Sequence, residues 1–215
     1  KCKEVIKLLP VGAAPNTEEP PPERLKSLIE LFNNGQYQTA LTEIQCFLEE
    51  FPSSSMLYNM QGNFYAALKL FDQAICSFKI AIQINPEEAS VHNNLGIALN
   101  CKSNSSEAIK SFEKAIALNP NYADAFNGLG IAQKSKGNLD EAELSYKRAI
   151  EIDKNHALAY NNLGIIQQSQ NKLHASLASF EKAIRIRPDY TEALNNLGAA
   201  LQKKGELNAA IKTLQ

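Results

Sequence analysis

A shift of 34 residues lays this chain on itself: Pro52 falls on Pro86 and then on Pro120, and two steps later the register lands on Pro188. The same shift aligns Asn94-Leu95-Gly96, Gly128-Leu129-Gly130, Asn162-Leu163-Gly164 and Asn196-Leu197-Gly198, with Gln61-Gly62 opening the column one step earlier. A fixed period of this length calls for a stack of like units, each too small to bury its apolar face alone.

Two apolar patterns recur within each block. In the second half, Ala40, Ala74, Ala108, Ala142, Ser176 and Ala210 are followed four residues on by Ile44, Phe78, Phe112, Tyr146, Phe180 and Leu214. Three residues further stand Phe47, Ala81, Ala115, Ala149 and Ala183. Spacings of i, i+4 and i+7 lie on one side of a helix, so this half is an amphipathic helix. In the first half, Tyr58, Gly62 and Tyr65 recur as His92, Gly96 and Leu99, as Phe126, Gly130 and Gln133, as Tyr160, Gly164 and Gln167, and as Leu194, Gly198 and Leu201. Glycine inside a helix costs about 0.8–1 kcal/mol relative to alanine. Its return in five blocks implies close approach of the partner helix, presenting Ala74, Ala108, Ala142 or Ala210, against a missing Cβ. Gly35, Gly137 and Gly205 separate the two helices of their blocks, and the prolines follow the second helix. The unit is therefore helix, turn, helix, turn.

Composition narrows the function classes. Twenty-two Lys and Arg against 23 Asp and Glu give a net charge of −1, which favours neither nucleic acid nor an anionic membrane as partner. No run of eighteen apolar residues is available to cross a bilayer. Cys2, Cys46, Cys76 and Cys101 form no C-x-x-C pair, and His92, His156 and His174 form no H-E-x-x-H, so the reading is reduced thiols, no metal and no cofactor in a cytoplasmic protein. Neither a G-x-S-x-G nor a phosphate-cradling G-x-x-x-x-G-K-[ST] is present, and an enzyme contained in this segment is not expected.

The columns match W-x₂-L-G-x₂-Y, then A-x₃-F, then P, and so the chain resembles the tetratricopeptide repeat family over nearly all of residues 21–215. That resemblance implies an all-α fold: an α-solenoid of antiparallel helix pairs stacked into a right-handed superhelix with a concave inner face. The blocks are placed at 21–54, 55–88, 89–122, 123–156, 157–190 and an incomplete 191–215. Residues 1–20 form an N-terminal extension and Pro-rich linker whose Val5, Ile6, Leu8 and Leu9 could dock in the groove or on a neighbouring molecule. The chain starts at Lys1 and stops inside a block, and is read as a fragment. Three departures stand out. Arg24 and Ser27-Leu28 replace the usual aromatic and Leu-Gly, which suggests an N-terminal cap with a polar outer face. Lys154 replaces a proline, and the unfinished last block should leave Leu201, Ala210 and Leu214 poorly covered.

With about 100° per residue, turning Tyr58, Gly62 and Tyr65 inward leaves Asn59 and Asn63 on the groove side. The Asn59 column continues as Asn93, Asn127, Asn161 and Asn195, and beside it run Asn94, Asn162 and Asn196, interrupted by Met60 and Gly128. An amide both donates and accepts, so such a ladder can hold an extended peptide by its main chain. It resembles the inner face of O-linked N-acetylglucosamine transferase repeats, where asparagines hold substrate polypeptide; no glycosyltransferase domain accompanies it. Ile97, Ile131 and Ile165 project to the same side and add an apolar stripe. The alternatives are that the amides bond neighbouring helices and water, and that the isoleucines fill the angle between first helices. A carboxylate clamp would need clustered cations, and Lys26, Lys134 and Lys203 do not cluster. The expected function is a protein-interaction scaffold holding an extended peptide or protein segment in the concave groove, one version of which presents that segment to a catalytic domain absent from this fragment. The alternative is self-assembly into a homo-oligomer through the N-terminal extension or the open last block.

Overall fold

The computed structural model describes residues 19–205. Eleven α-helices and no strand lie among them, the all-α class expected from the repeat. They fall into two compact units, one ending at Leu118 and one starting at Asn119. The first unit holds α1 (Lys26–Asn33), α2 (Tyr37–Glu50), α3 (Ser55–Ala67), α4 (Phe71–Ile84), α5 (Ala89–Cys101) and α6 (Ser105–Leu118). The second holds α7 (Ala123–Ser135), α8 (Leu139–Ile152), α9 (Ala157–Ser169), α10 (Leu173–Ile186) and α11 (Thr191–Lys204). Odd-numbered helices are the first of each pair and even-numbered ones the second. The N-terminal segment 1–18, with its expected docking, and residues 206–215, with Ala210 and Leu214, lie outside the described residues.

One backbone position ends every first helix. Gly35, Lys69, Ser103, Gly137, Asn171 and Gly205 stand 34 residues apart and all have positive φ, between 57° and 87°. The next residue's N–H reaches back five residues: Gln36 to the Leu31 carbonyl at 2.8 Å, Leu70 to Tyr65 at 2.8 Å, Asn104 to Leu99 at 2.9 Å, Asn138 to Gln133 at 3.0 Å and Lys172 to Gln167 at 2.8 Å. This is the Schellman closure, which satisfies orphan carbonyls at the helix end. A Cβ built at Gly35, Gly137 or Gly205 meets nothing within 4 Å, so the requirement there is conformational rather than steric. Lys69 and Ser103 bear the cost of a left-handed side-chain residue, about 1 kcal/mol. Lys69→Gly and Ser103→Gly are each expected to raise stability by about 0.5–1 kcal/mol. An upward shift of the urea midpoint would register it, and an unchanged or lowered midpoint would contradict the assignment.

The second turn also repeats. Asn85, Asn119 and Asp153 each accept, through Oδ1, from the N–H two residues on, at 3.2, 3.1 and 2.9 Å. Lys154 therefore sits in the same turn as the prolines it replaces, because the side chain before it closes the turn.

Gly62, Gly96, Gly130 and Gly164 mark where the helices of a pair meet. A Cβ there would stand 2.4 Å from the ring of Phe78, 2.8 Å from Phe112, 2.6 Å from Tyr146 and 2.5 Å from Phe180. The contact differs from the sequence expectation: the groups filling the absent Cβ's space are these rings, four residues after the small Ala74, Ala108, Ala142 and Ser176, all of which are fully buried. Each ring needs a flat floor, and only glycine leaves one. Tyr146 takes the place of phenylalanine with its hydroxyl buried and without a partner among the described residues, and burial drives its pKa far above the ordinary phenol value. Tyr146→Phe is expected to leave the protein as stable or about 1 kcal/mol more so, since an unsatisfied buried hydroxyl is removed at nearly constant shape. Calorimetry showing a loss above that size would indicate that the hydroxyl has a partner.

At the first block, Arg24 clasps Glu50 in a fork at 2.7 and 2.8 Å and lies over the rings of Phe47 and Phe51, 5.1 and 5.7 Å from their centroids. A guanidinium plane thus stands where the other blocks carry an aromatic or its substitute. Leu201 is buried in a cluster with Leu177, Phe180, Leu197 and Ala200, against the expectation that it would be poorly covered. Cys46 and Cys101 are exposed free thiols, whereas Cys76 is disulfide-bonded, which corrects the reading of four reduced cysteines. No helix of the described residues is long and apolar enough to cross a membrane.

Candidate peptide-binding face

The two asparagine columns meet side chain to side chain. Asn94 Nδ2 donates to Asn59 Oδ1 at 3.1 Å, joining α5 to α3. In the second unit Asn162 donates to Asn127 at 2.9 Å, joining α9 to α7, and Asn196 donates to Asn161 at 2.9 Å, joining α11 to α9. The donor always stands 35 residues after the acceptor. Three pairs of neighbouring first helices, α3 with α5 in the first unit and α7 with α9 and α9 with α11 in the second, are thereby held in register by amide pairs.

Burial divides the column. Asn93, Asn127 and Asn161 are only 4%, 8% and 0% exposed, while Asn59 is half-buried and Asn195 is exposed. Asn161 uses its whole amide: besides accepting from Asn196, its Nδ2 donates to Tyr190 Oη and to Glu192 Oε1, both at 3.2 Å. Burial, followed by the Glu192 charge, lifts the Tyr190 phenol above its usual pKa, so the hydroxyl stays protonated. Asn93 Oδ1 and Asn100 Oδ1 are buried without a partner among the described residues. The half-buried Asn63 and the exposed Asn195 make no hydrogen bond there and present free amides to solvent.

The isoleucines divide too. Ile97 is 47% exposed. Ile131 packs against the core formed by Ala142, Tyr146, Leu163 and Ile166, and Ile165 against that formed by Leu177, Phe180 and Leu197. Sequence reasoning overlooked the apolar residues of the first block: Ile29 and Phe32 are 51% and 38% exposed, and with Met60, Asn63 and Phe64 they line a pocket of about 140 Å³. The signal was present, since Ile29 stands in the same column as Ile97 two periods earlier.

Charge is uneven along the first helices: α1 carries Lys26 and Glu30, α7 Asp124 and Lys134, and α11 Glu192, Lys203 and Lys204. The helices α3, α5 and α9 contain no Asp, Glu, Lys or Arg. By contrast α8 carries Glu143, buried beside Lys147 at 2.6 Å and Lys172 at 3.0 Å, and the Lys147 contact chiefly holds its carboxyl below the usual range. His156, also buried, caps α9: its Nδ1 accepts from the Ala159 N–H at 3.2 Å, which leaves Nε2–H to donate to Asp124 at 3.1 Å. These groups serve the joints between pairs. No group of three His, Cys, Asp or Glu side chains able to hold a metal occurs among the described residues.

Comparison with known proteins agrees with this architecture. Models described as TPR repeat or tetratricopeptide repeat match residues 25–89, 103–137, 123–156, 145–178 and 169–205. The chain belongs to the tetratricopeptide repeat family. Among solved structures it is similar to PilW, a widely conserved type IV pilus biogenesis factor, at 23% identity and TM-score 0.79, covering 87% of each chain. It is similar to YrrB, a TPR protein with an unusual peptide-binding site, at 26% identity and TM-score 0.62, over 79% of this chain and 88% of that one. MamA aligns at 27% identity and TM-score 0.62, over 71% of this chain and 90% of its own. Curated protein sequences yield no match.

Proposed function

We propose that the protein is an interaction scaffold whose first-helix faces hold an extended polypeptide segment. The observation carrying this reading is the chemistry of those faces: free or half-buried amides beside exposed isoleucine, on helices that bear no charge in α3, α5 and α9. An extended chain offers unpaired main-chain N–H and C=O groups, and an amide satisfies either. A charged surface would have to be desolvated to bind, whereas this one loses little. The likeness to YrrB, whose structure carries a peptide-binding site, supports the same direction.

Within the set Asn59, Asn63, Asn93, Asn94, Ile97, Asn127, Ile131, Asn161, Asn162, Ile165, Asn195 and Asn196, the accessible members proposed to touch ligand directly are Asn63 and Ile97 on the first unit and, separately, Asn195 on the second. The paired amides hold the helices that present them. Binding of an arrayed peptide library should test this on the wild type and on Ile97→Asp, a substitution at a half-exposed site that leaves the core alone. Loss of the wild-type hits from a variant whose circular dichroism is unchanged is the expected result. Retention of the same hits would move the ligand to the second-helix side or the ends.

A further inference from the structure

The first unit carries a feature that the amide columns do not explain. Ile29 and Phe32 of α1 and Met60, Asn63 and Phe64 of α3 line an open pocket of about 140 Å³. Its walls are almost entirely hydrocarbon and aromatic, and the only polar side chain among them is Asn63, whose amide makes no hydrogen bond among the described residues. Voids on the order of 150 Å³ accept a benzene-sized group. Phe64 is buried, and Phe32 leans on it and on Tyr37, with ring centroids 5.7 and 5.4 Å apart, so ring contacts form the floor. Ile29, half-exposed, forms the rim.

We infer that this pocket is an anchor subsite that takes one aliphatic or aromatic side chain of an uncharged stretch of extended polypeptide, while Asn63 bonds the main chain beside it. The inference rests on the peptide-holding reading above and specifies its ligand. Charge complementarity selects the occupant: α3 has no Asp, Glu, Lys or Arg, and although α1 carries Lys26 and Glu30, no charged side chain lines the pocket. A charged residue entering it would lose its hydration and find no counter-charge. An apolar one gains the burial of its surface, and Asn63 at the rim can satisfy both a C=O and an N–H of the adjoining peptide unit.

The test uses the full chain with methyl-labelled isoleucine and methionine, titrated to millimolar concentration with an acetylated and amidated pentapeptide, Ser-Gly-Leu-Gly-Ser, and with its Ala and Asp versions at the central position. The Leu peptide is expected to shift the Ile29 and Met60 methyls and to bind at least about tenfold more tightly than the Ala peptide, with the Asp peptide silent. Ile29→Glu should abolish the effect; should that variant fail to fold, Asn63→Asp places a charge at the same rim. Equal affinities for the three peptides, or no movement of those two methyls, overturn the inference. If the peptide library still binds and loses its hits in Ile97→Asp, the broader reading survives that failure; if no library member binds, both fall. Two other occupants would also overturn it. Contacts from residues 1–18 to the Ile29 and Met60 methyls without added peptide would show an internal segment in the pocket, and shifts that follow protein concentration would show a second copy.

Discussion

Asn161→Ala should cost about 2–4 kcal/mol, more than any other single asparagine of the columns, because it breaks three hydrogen bonds at a site with no exposure to water. The Asn196 amide and the Tyr190 hydroxyl lose their partner together, and a small void is left among α9 and α11. Asn195→Ala removes an amide that bonds nothing among the described residues, and a change within about 0.5 kcal/mol is expected. Urea unfolding of both variants, with hydrogen exchange followed by mass spectrometry, separates the cases. Stacked repeats lean on their nearest neighbours, so faster exchange should appear first in α9 and α11. Equal stability of the two variants would mean that the amide pairs contribute no more than water does, and the column would then be free for ligand.

Gly164→Ala is expected to lower stability by about 1–2 kcal/mol, although alanine is the better helix former by about 1 kcal/mol. The added methyl would stand 2.5 Å from the Phe180 ring, which is fully buried and cannot swing away, so α9 and α10 must part. Overpacking of this kind costs about 1–3 kcal/mol and, with the repeat interface loosened, outweighs the propensity gain. The cause can be isolated by a double-mutant cycle. Phe180→Leu alone should be destabilising, but it makes room for the methyl, and in that background Gly164→Ala should become neutral or favourable. Additive effects in the cycle would show that the ring and the glycine do not act on each other.

Both variants bear on how far the sequence could be read. The glycine column at Gly62, Gly96, Gly130 and Gly164 announced a close approach, since a helix keeps so poor a former only where something must come near. What comes near is the ring rather than the alanine, a choice made by the direction in which the second helix points its side chains. The turn column was legible at Gly35, Gly137 and Gly205 but not at Lys69, Ser103 and Asn171, which adopt the same left-handed backbone because the Schellman bonds on either side impose it. For the candidate site, angular counting put the asparagines on one side of the first helices. It could not tell that Asn94, Asn162 and Asn196 reach across to Asn59, Asn127 and Asn161, because a hydrogen bond between columns depends on the stagger of adjacent helices.

The sequence alone determined the period of 34, visible when the chain is laid on itself, and the two amphipathic helices per block, because a helical face depends on residues only a few places apart. The tertiary structure decided which asparagines are closed into pairs and which, like Asn63 and Asn195, remain open, and which isoleucines support the core and which, like Ile97, face out. It also gathered Ile29, Phe32 and Met60 into a pocket from two helices some thirty residues apart in the chain. The physical reason is that exposure and hydrogen bonding are settled by the neighbouring pair's distance and stagger, and no single block's sequence contains that information.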